Sequence, residues 1–186
     1  MKYMIASDLH GSGWYAEKLW DAFQKENADR LIFLGDMLYH GPRNDLPREY
    51  DPKKVAALMN AHKEKILAVR GNCEAEVDQM VLDFPVMADY ALLAQPKQAG
   101  GEALVFITHG HLYNEENPPL LQPGDVLLHG HTHVQVCREH PEYIYMNPGS
   151  LSIPKNGSRH GYMTLEAGHF TWKDIDSGEV LMEYQL

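Results

Sequence analysis

Positive charge is scarce in this chain. Its 186 residues carry 16 lysines and arginines against 26 acids, a formal net charge of -10. No basic stripe or patch is visible, which argues against stable nucleic-acid binding through phosphates. An acidic chain can still act on phosphates where bound cations supply the positive charge. Cysteine is also sparse. Cys73 and Cys137 are the only two, too few for a disulfide scaffold and in keeping with a reducing, cytoplasmic setting. Long apolar runs are missing. The start passes almost directly into Tyr3-Met4-Ile5-Ala6, without the stretch of a signal peptide, and nothing is long enough to span a bilayer. Internal repeats, linkers and low-complexity segments are lacking too. The hydrophobic fraction of 44% is enough for a real core, and the length suggests one domain, residues 1–186.

Histidine, by contrast, is concentrated. Three of the eleven fall in His129-Gly130-His131-Thr132-His133. The apolar run Asp125-Val126-Leu127-Leu128 before them reads as a buried strand. Residues two apart in a strand share a side, so His131 and His133 would aim into one pocket at its end. His129 would lie one pleat deeper, outside that pocket. In isolation such a cluster is more readily a surface feature.

The same arrangement recurs along the chain. Tyr3 to Ala6 ends in Asp8-x-His10. Leu31-Ile32-Phe33-Leu34 ends in Gly35-Asp36. Ile66 to Val69 ends in Arg70-Gly71-Asn72-Cys73-Glu74, and Ala103 to Ile107 ends in Thr108-His109-Gly110-His111. Between the first two strands, Ala16, Leu19, Trp20 and Phe23 form one amphipathic helical face. Strand, helix, strand implies a parallel pair. Asp51-Pro52 reads as an N-cap with proline at the first helical position, followed by a second face of Val55, Leu58, Met59 and His62. Glu74, Glu76 and Asp78 read as a solvated helix start. Residues 86 to 95 read as a strand. Residues 114 to 124 are irregular, because Pro118, Pro119 and Pro123 oppose a long helix. Val134 to Arg138 and Tyr143 to Met146 read as a hairpin closed by Asn147-Pro148-Gly149-Ser150. Alternation of Val180, Met182, Tyr184 and Leu186 after the turn Asp176-Ser177-Gly178 makes the end antiparallel. The expected architecture is two sheets face to face, with helices outside the first.

Ligands bind at the carboxyl ends of strands in open α/β sheets. There the chain offers Asp8, His10, Asp36, Asn72, His109, His131 and His133, all oxygen or nitrogen donors. Seven are too many for one tetrahedral ion. They suit two ions sharing a bridging carboxylate, roughly 3.5 to 4 Å apart, which can clamp the attacking and leaving oxygens of a phosphoryl displacement.

From Asp8 to Ser150 these motifs resemble, in order, those of the calcineurin-like metallophosphoesterases, and the short length is similar to the small bacterial phosphodiesterases among them. The resemblance implies an α/β fold, an αββα sandwich of two mixed β-sheets flanked by helices. It assigns Asp8, His10 and His133 to one metal and Asn72, His109 and His131 to the other, with Asp36 bridging. It implies a phosphodiesterase acting on small phosphodiesters by in-line attack of a metal-bridging hydroxide. Mn²⁺ is the expected metal, with Zn²⁺, Fe²⁺ or Ni²⁺ as alternatives.

The chain departs from the family at one position. Cys73 stands where most members have a histidine that helps the leaving group depart. It either packs beside the site or serves as a weak substitute acid. His111 either reaches the cleft as phosphate ligand or acid, or is a solvated histidine. His40 and Arg43, after Asp36, either contact substrate or are solvated loop residues. His62, His140, His160 and His169 read as structural or surface, and Trp14, Trp20 and Trp172 as core or interface. Expected partners are a small phosphoester, no nucleic acid and no membrane, with a homo-oligomer left open. The competing functions are a phosphomonoesterase or nucleotide phosphatase on the same site, and a catalytically silent metal-binding scaffold.

Overall fold

A computed structural model describes residues 1–186. The first half alternates strands and helices: β1 (Lys2–Ala6), α1 (Gly13–Lys25), β2 (Arg30–Phe33), α2 (Pro52–Asn60), β3 (Ile66–Ala68) and α3 (Glu76–Val81). Strands alone follow: β4 (Tyr90–Pro96), β5 (Glu102–Thr108), β6 (Val126–Leu128), β7 (Gln135–Glu139), β8 (Ile144–Pro148), β9 (Gly161–Glu166), β10 (His169–Asp174) and β11 (Val180–Gln185). The expected cap at Asp51 forms, and Ser12 supplies another. Ser12 Oγ accepts from the Tyr15 N–H at the head of α1, and Asp51 Oδ1 accepts from the Lys54 N–H at the head of α2.

Two mixed sheets result, in the orders β11-β10-β9-β1-β2-β3 and β4-β5-β6-β8-β7. In the first, β1, β2 and β3 run parallel, and β9 to β11 return antiparallel. In the second, β5, β6 and β8 run parallel between antiparallel edges. The period of two in β1 divides its side chains between two cores. Ile5 faces the second sheet, where it packs with Ile32, Val105, Leu128, Met163 and Trp172. Met4 and Ala6 face the helices, packing with Leu19, Phe23, Val55 and Met59. The indole N–H of Trp172, on β10, donates to the Asn147 carbonyl on β8 at 2.7 Å and ties the sheets together.

The αββα arrangement has one local variation. Beyond the second sheet lies the irregular segment after β5, not a helix. Its Tyr113 and Leu121 cover Phe106, Leu127 and Tyr145. Strand β4 begins at Tyr90 rather than residue 86. Val86 is instead buried in the helix-side core, and the Ala88 carbonyl accepts from the Arg70 N–H, so this stretch is used before pairing starts. His62 lies past the end of α2 and packs at a tilt against Trp20 with centroids 4.2 Å apart.

Candidate metal centre

The ends of β1, β2, β3, β5 and β6 meet at one edge of the sandwich, and backbone bonds join their loops. Asp8 N–H donates to the Gly35 carbonyl, His10 N–H to Asp36, and Gly130 N–H to His109. Such closeness leaves no room for side chains. A Cβ on Gly130 would run into Ser7 Oγ and Asp8 Oδ2, and one on Gly35, at φ +97°, into the backbone of Gly71.

Strand parity does not aim the histidines. β6 ends at Leu128, so His131 and His133 lie beyond the pleat. Both adopt the left-handed backbone region, at φ 65° and 62°, as do Asp8, His10 and Asp36 at 56°, 51° and 57°. Non-glycine residues pay strain there, of order 1–3 kcal/mol each, and persist only where surrounding bonds over-determine them. The bonds are present. Ser150 Oγ and Ser152 Oγ both donate to the Asp8 carbonyl, and Asn147 Nδ2 donates to the Gly130 carbonyl. Asn147-Pro-Gly-Ser150 is therefore a clamp on the Asp8 and His131 loops as well as the end of a strand.

Seven donors converge in two groups. In the first, Asp8 Oδ1 lies 3.1 Å from His133 Nε2 and 3.5 Å from His10 Nε2, and the two Nε2 atoms are 3.3 Å apart. In the second, His109 Nε2 lies 3.1 Å from Asn72 Oδ1 and 3.2 Å from His131 Nδ1. Asp36 stands between, with Oδ2 3.7 Å from His10 Nε2 and Oδ1 3.5 Å from His109 Nε2. Asp8, His10, Asp36, His109 and His133 are buried, whereas Asn72 is exposed and His131 half-buried, so the groups open on one side only.

The chemistry of this donor set fits divalent cations. His10, His109 and His133 each use Nδ1 on a backbone carbonyl, of Tyr39, Leu34 and Ile153, at 2.8, 2.7 and 2.7 Å. Those bonds fix the tautomer and turn each Nε2 lone pair toward the cluster. Asp8 Oδ2 accepts from Ser7 Oγ and the His131 N–H, but the buried Oδ1 has no donor. Lone pairs facing one another across about 3 Å repel unless positive charge lies between them. Burial pushes the Asp8 carboxyl up, yet His10 and His133 outweigh it and hold it well below the usual range. Burial pushes His10 down, and Asp8 then carries it above its ordinary value. Burial and then His109 lower His131, which favours the neutral, ligating ring.

The remaining expected residues divide. Cys73 sits against the cluster: its N–H donates to Asp36 Oδ1 at 2.9 Å, and burial, then Asp36, pushes its thiol up. Arg43 lines the cleft beside the donors, a cavity of about 420 Å³. His40 does not line it and is wedged edge-on between Tyr39 and Tyr50. His111 lies beside His109, 5.5 Å between centroids, but off the cleft wall, and burial holds it neutral with a pKa of about 4. His129 is buried, stacked on Tyr145 at 4.5 Å, and outside both groups.

Residues 1–169 match the family model of the calcineurin-like phosphoesterase superfamily domain. The chain belongs to that superfamily. Membership makes it a metal-dependent phosphoester hydrolase. It is 47% identical over 166 residues to phosphodiesterase YfcE of Escherichia coli strain K12, covering 89% of this chain and 88% of that one. The solved structure of E. coli YfcE, described as a phosphoesterase, superposes with a TM-score of 0.92 at 41% identity, over 99% of this chain and 98% of that one. Zinc-complexed Vps29 from Entamoeba histolytica superposes at 0.61 with 15% identity, over 99% and 98% of the two chains, a likeness of fold alone.

Two residues of this phosphoesterase site escape sequence reasoning. Glu74 is not a solvated helix residue. Its carboxylate accepts from the N–H groups of Asp36 and Met37 at 2.8 and 2.7 Å and of Gly71 at 2.5 Å, and burial, then Asp36, pushes its pKa up. Nothing in its spacing separates it from Glu76 and Asp78, which do start α3. Lys155 lines the cleft from the turn after Ser152, and no motif marks it.

Proposed function

We propose that the chain, acting as one domain over residues 1–186, is a dinuclear-metal-dependent phosphodiesterase for small phosphodiesters. The observation that carries this is the pair of donor groups sharing Asp36. In this reading Asp8, His10 and His133 hold one ion, Asn72, His109 and His131 hold the other, and Asp36 bridges. Mn²⁺ is the proposed metal, with Zn²⁺, Fe²⁺ or Ni²⁺ as alternatives on the same imidazole and carboxylate donors. Two such ions would polarise a phosphoryl oxygen and lower the pKa of water.

The chain's own residues account for the rest. Asn72 coordinates without adding charge, so the cleft stays cationic toward a phosphate. Its exposure, beside the half-buried His131, gives substrate access on that side. Arg43, on the cleft wall, offers a planar guanidinium to an anionic group of the substrate. Cys73 stands where an acid would serve the leaving group, and a thiol pushed up by burial and Asp36 is a weaker acid than an ordinary one. Departure then depends on the leaving group itself, so activated aryl diesters are cleaved far better than alkyl ones. Both cysteines are free, and no helix is long and apolar enough to cross a membrane, in keeping with a cytoplasmic enzyme.

The test is a screen of Mn²⁺, Zn²⁺, Ni²⁺ and Mg²⁺ against aryl and alkyl mono- and diesters, with metal counted per chain. Two ions bound and aryl diesters preferred is the expected result. A higher kcat/KM for aryl monoesters would replace the phosphodiesterase reading with the phosphomonoesterase one. Absence of hydrolysis with every metal would favour the scaffold.

A further inference from the structure

Two cations share the cleft with the donor groups. Arg43 belongs to the loop after β2 and Lys155 to the turn after Ser152, and both are exposed. Each is held close to the cluster by its backbone. The Lys155 N–H donates to the His133 carbonyl at 3.0 Å, while His133 Nδ1 donates to Ile153. The Arg43 loop is closed by Asn44 Nδ2 on the His40 carbonyl, and Gly41 packs against Cys73.

Arg43 stands apart from the other five arginines. Arg30 donates to the Glu64 carbonyl, Arg48 covers Trp14, and Arg70, Arg138 and Arg159 pair with Asp89, Glu115 and Asp174. Arg43 makes no ion pair, and neither does Lys155, which shares that with Lys25, Lys53, Lys65 and Lys97 but alone among these lysines lines the cleft. A phosphodiester brings one negative charge at phosphorus, which the metal side of the cleft would neutralise. Two further unpaired cations exceed that need. Apart from the imidazoles of His131 and His133, which belong to the donor groups, the wall holds no aromatic side chain, so a nucleobase would find no Phe, Tyr or Trp to stack on.

We propose that Arg43 and Lys155 form a subsite for a second anionic group, a phosphate or carboxylate, carried by one of the two alcohols of the phosphodiester. This rests on the phosphodiesterase reading and narrows it. The substrate class is a small diester whose retained alcohol is hydrophilic and carries a negative charge beyond the scissile phosphate. Lys155 is the new specificity residue, and Arg43 is its partner.

The test compares p-nitrophenyl phosphodiesters that differ only in the second alcohol: ethyl, 2-carboxyethyl or 2-phosphoethyl. Native protein should favour the charged esters by about tenfold in kcat/KM, mostly through KM, as two partly exposed ion pairs allow. The carboxyl and phospho arms identify which anion is preferred. That ratio should collapse in Lys155→Ala and in the Arg43→Ala/Lys155→Ala double variant, survive in Lys155→Arg, and shrink in about 0.5 M salt. Equal rates on neutral and charged esters, or a preference that survives the double variant, would overturn the subsite. Calorimetry gives a readout without turnover: 3-phosphonopropionate should bind the metal-loaded native protein more tightly than ethylphosphonate, and Lys155→Ala should erase the difference. Such binding with no ester cleaved would uphold the subsite and overturn the phosphodiesterase reading. Cleavage of the ethyl ester with no discrimination would do the reverse.

Discussion

Asp36 owes its position to Glu74, whose carboxylate takes the N–H groups on either side of the Asp36 peptide and a third from Gly71. Replacing one oxygen by an amide nitrogen places donors against donors. Glu74→Gln should therefore weaken Mn²⁺ binding by tens of fold, in the range seen when groups supporting metal ligands are lost. Calorimetric titration measures it, and unchanged affinity would show that Asp36 is held by other bonds. At position 73 the expected gain is in the opposite sense. Cys73→His should raise rates on alkyl esters more than on aryl ones, as measured by kcat on matched diesters. If both sets of rates stay unchanged, the cysteine has no part in leaving-group departure. The donors themselves were legible because each follows an apolar run. Glu74 was not, because an acid clamping buried amides and an acid opening a solvated helix look alike in sequence.

Among the elements, the end of α1 is fastened through Glu26. Its carboxylate accepts from Lys2 Nζ of β1, Tyr162 Oη of β9 and Lys173 Nζ of β10, at 2.8, 2.9 and 2.6 Å. Burial raises its pKa, but Lys173, then Lys2 and Tyr162, outweigh it and bring the group down to about 2. A folded pKa below the unfolded one means stability is present above pH 4.5 and is lost as pH falls toward 2. Glu26→Gln should cost about 1–3 kcal/mol at pH 7, the worth of charge-assisted bonds, and only about a quarter of that at pH 2.5, near the folded pKa. Urea unfolding at both pH values tests it, and an equal cost at each would mean packing and not charge is lost. Gly35→Ala should destabilise by more than about 2 kcal/mol, since both the positive φ and the adjoining Gly71 backbone oppose a Cβ. The midpoint of denaturation shows it. Strand and helix periods are visible in the chain, which is why β1, α1, β2 and α2 could be read from it. Loop conformation was not, because a left-handed aspartate or histidine carries no periodic signature. Parity pointed His131 and His133 to the right pocket for the wrong reason: they belong to a turn held by Asn147 and Ser150.

For the whole molecule, the cluster is a cost until a cation fills it. Adding Mn²⁺ should raise Tm, by a stability increment of about 2.7 kcal/mol at one hundred times Kd. EDTA should reverse the rise, and Asp36→Ala should abolish it. A Tm indifferent to metal would mean the lone pairs are satisfied by protons alone. The interlocked strand ends also set an order in time. Asp8 is made early, but the groups that hold and face it are His133, Ser150 and Ser152. A ribosome adding about 5–20 residues per second needs many seconds to reach them. The earlier donors leave it as an open set on an incomplete sandwich. Tight metal binding is therefore expected only once this late segment has folded against Asp8.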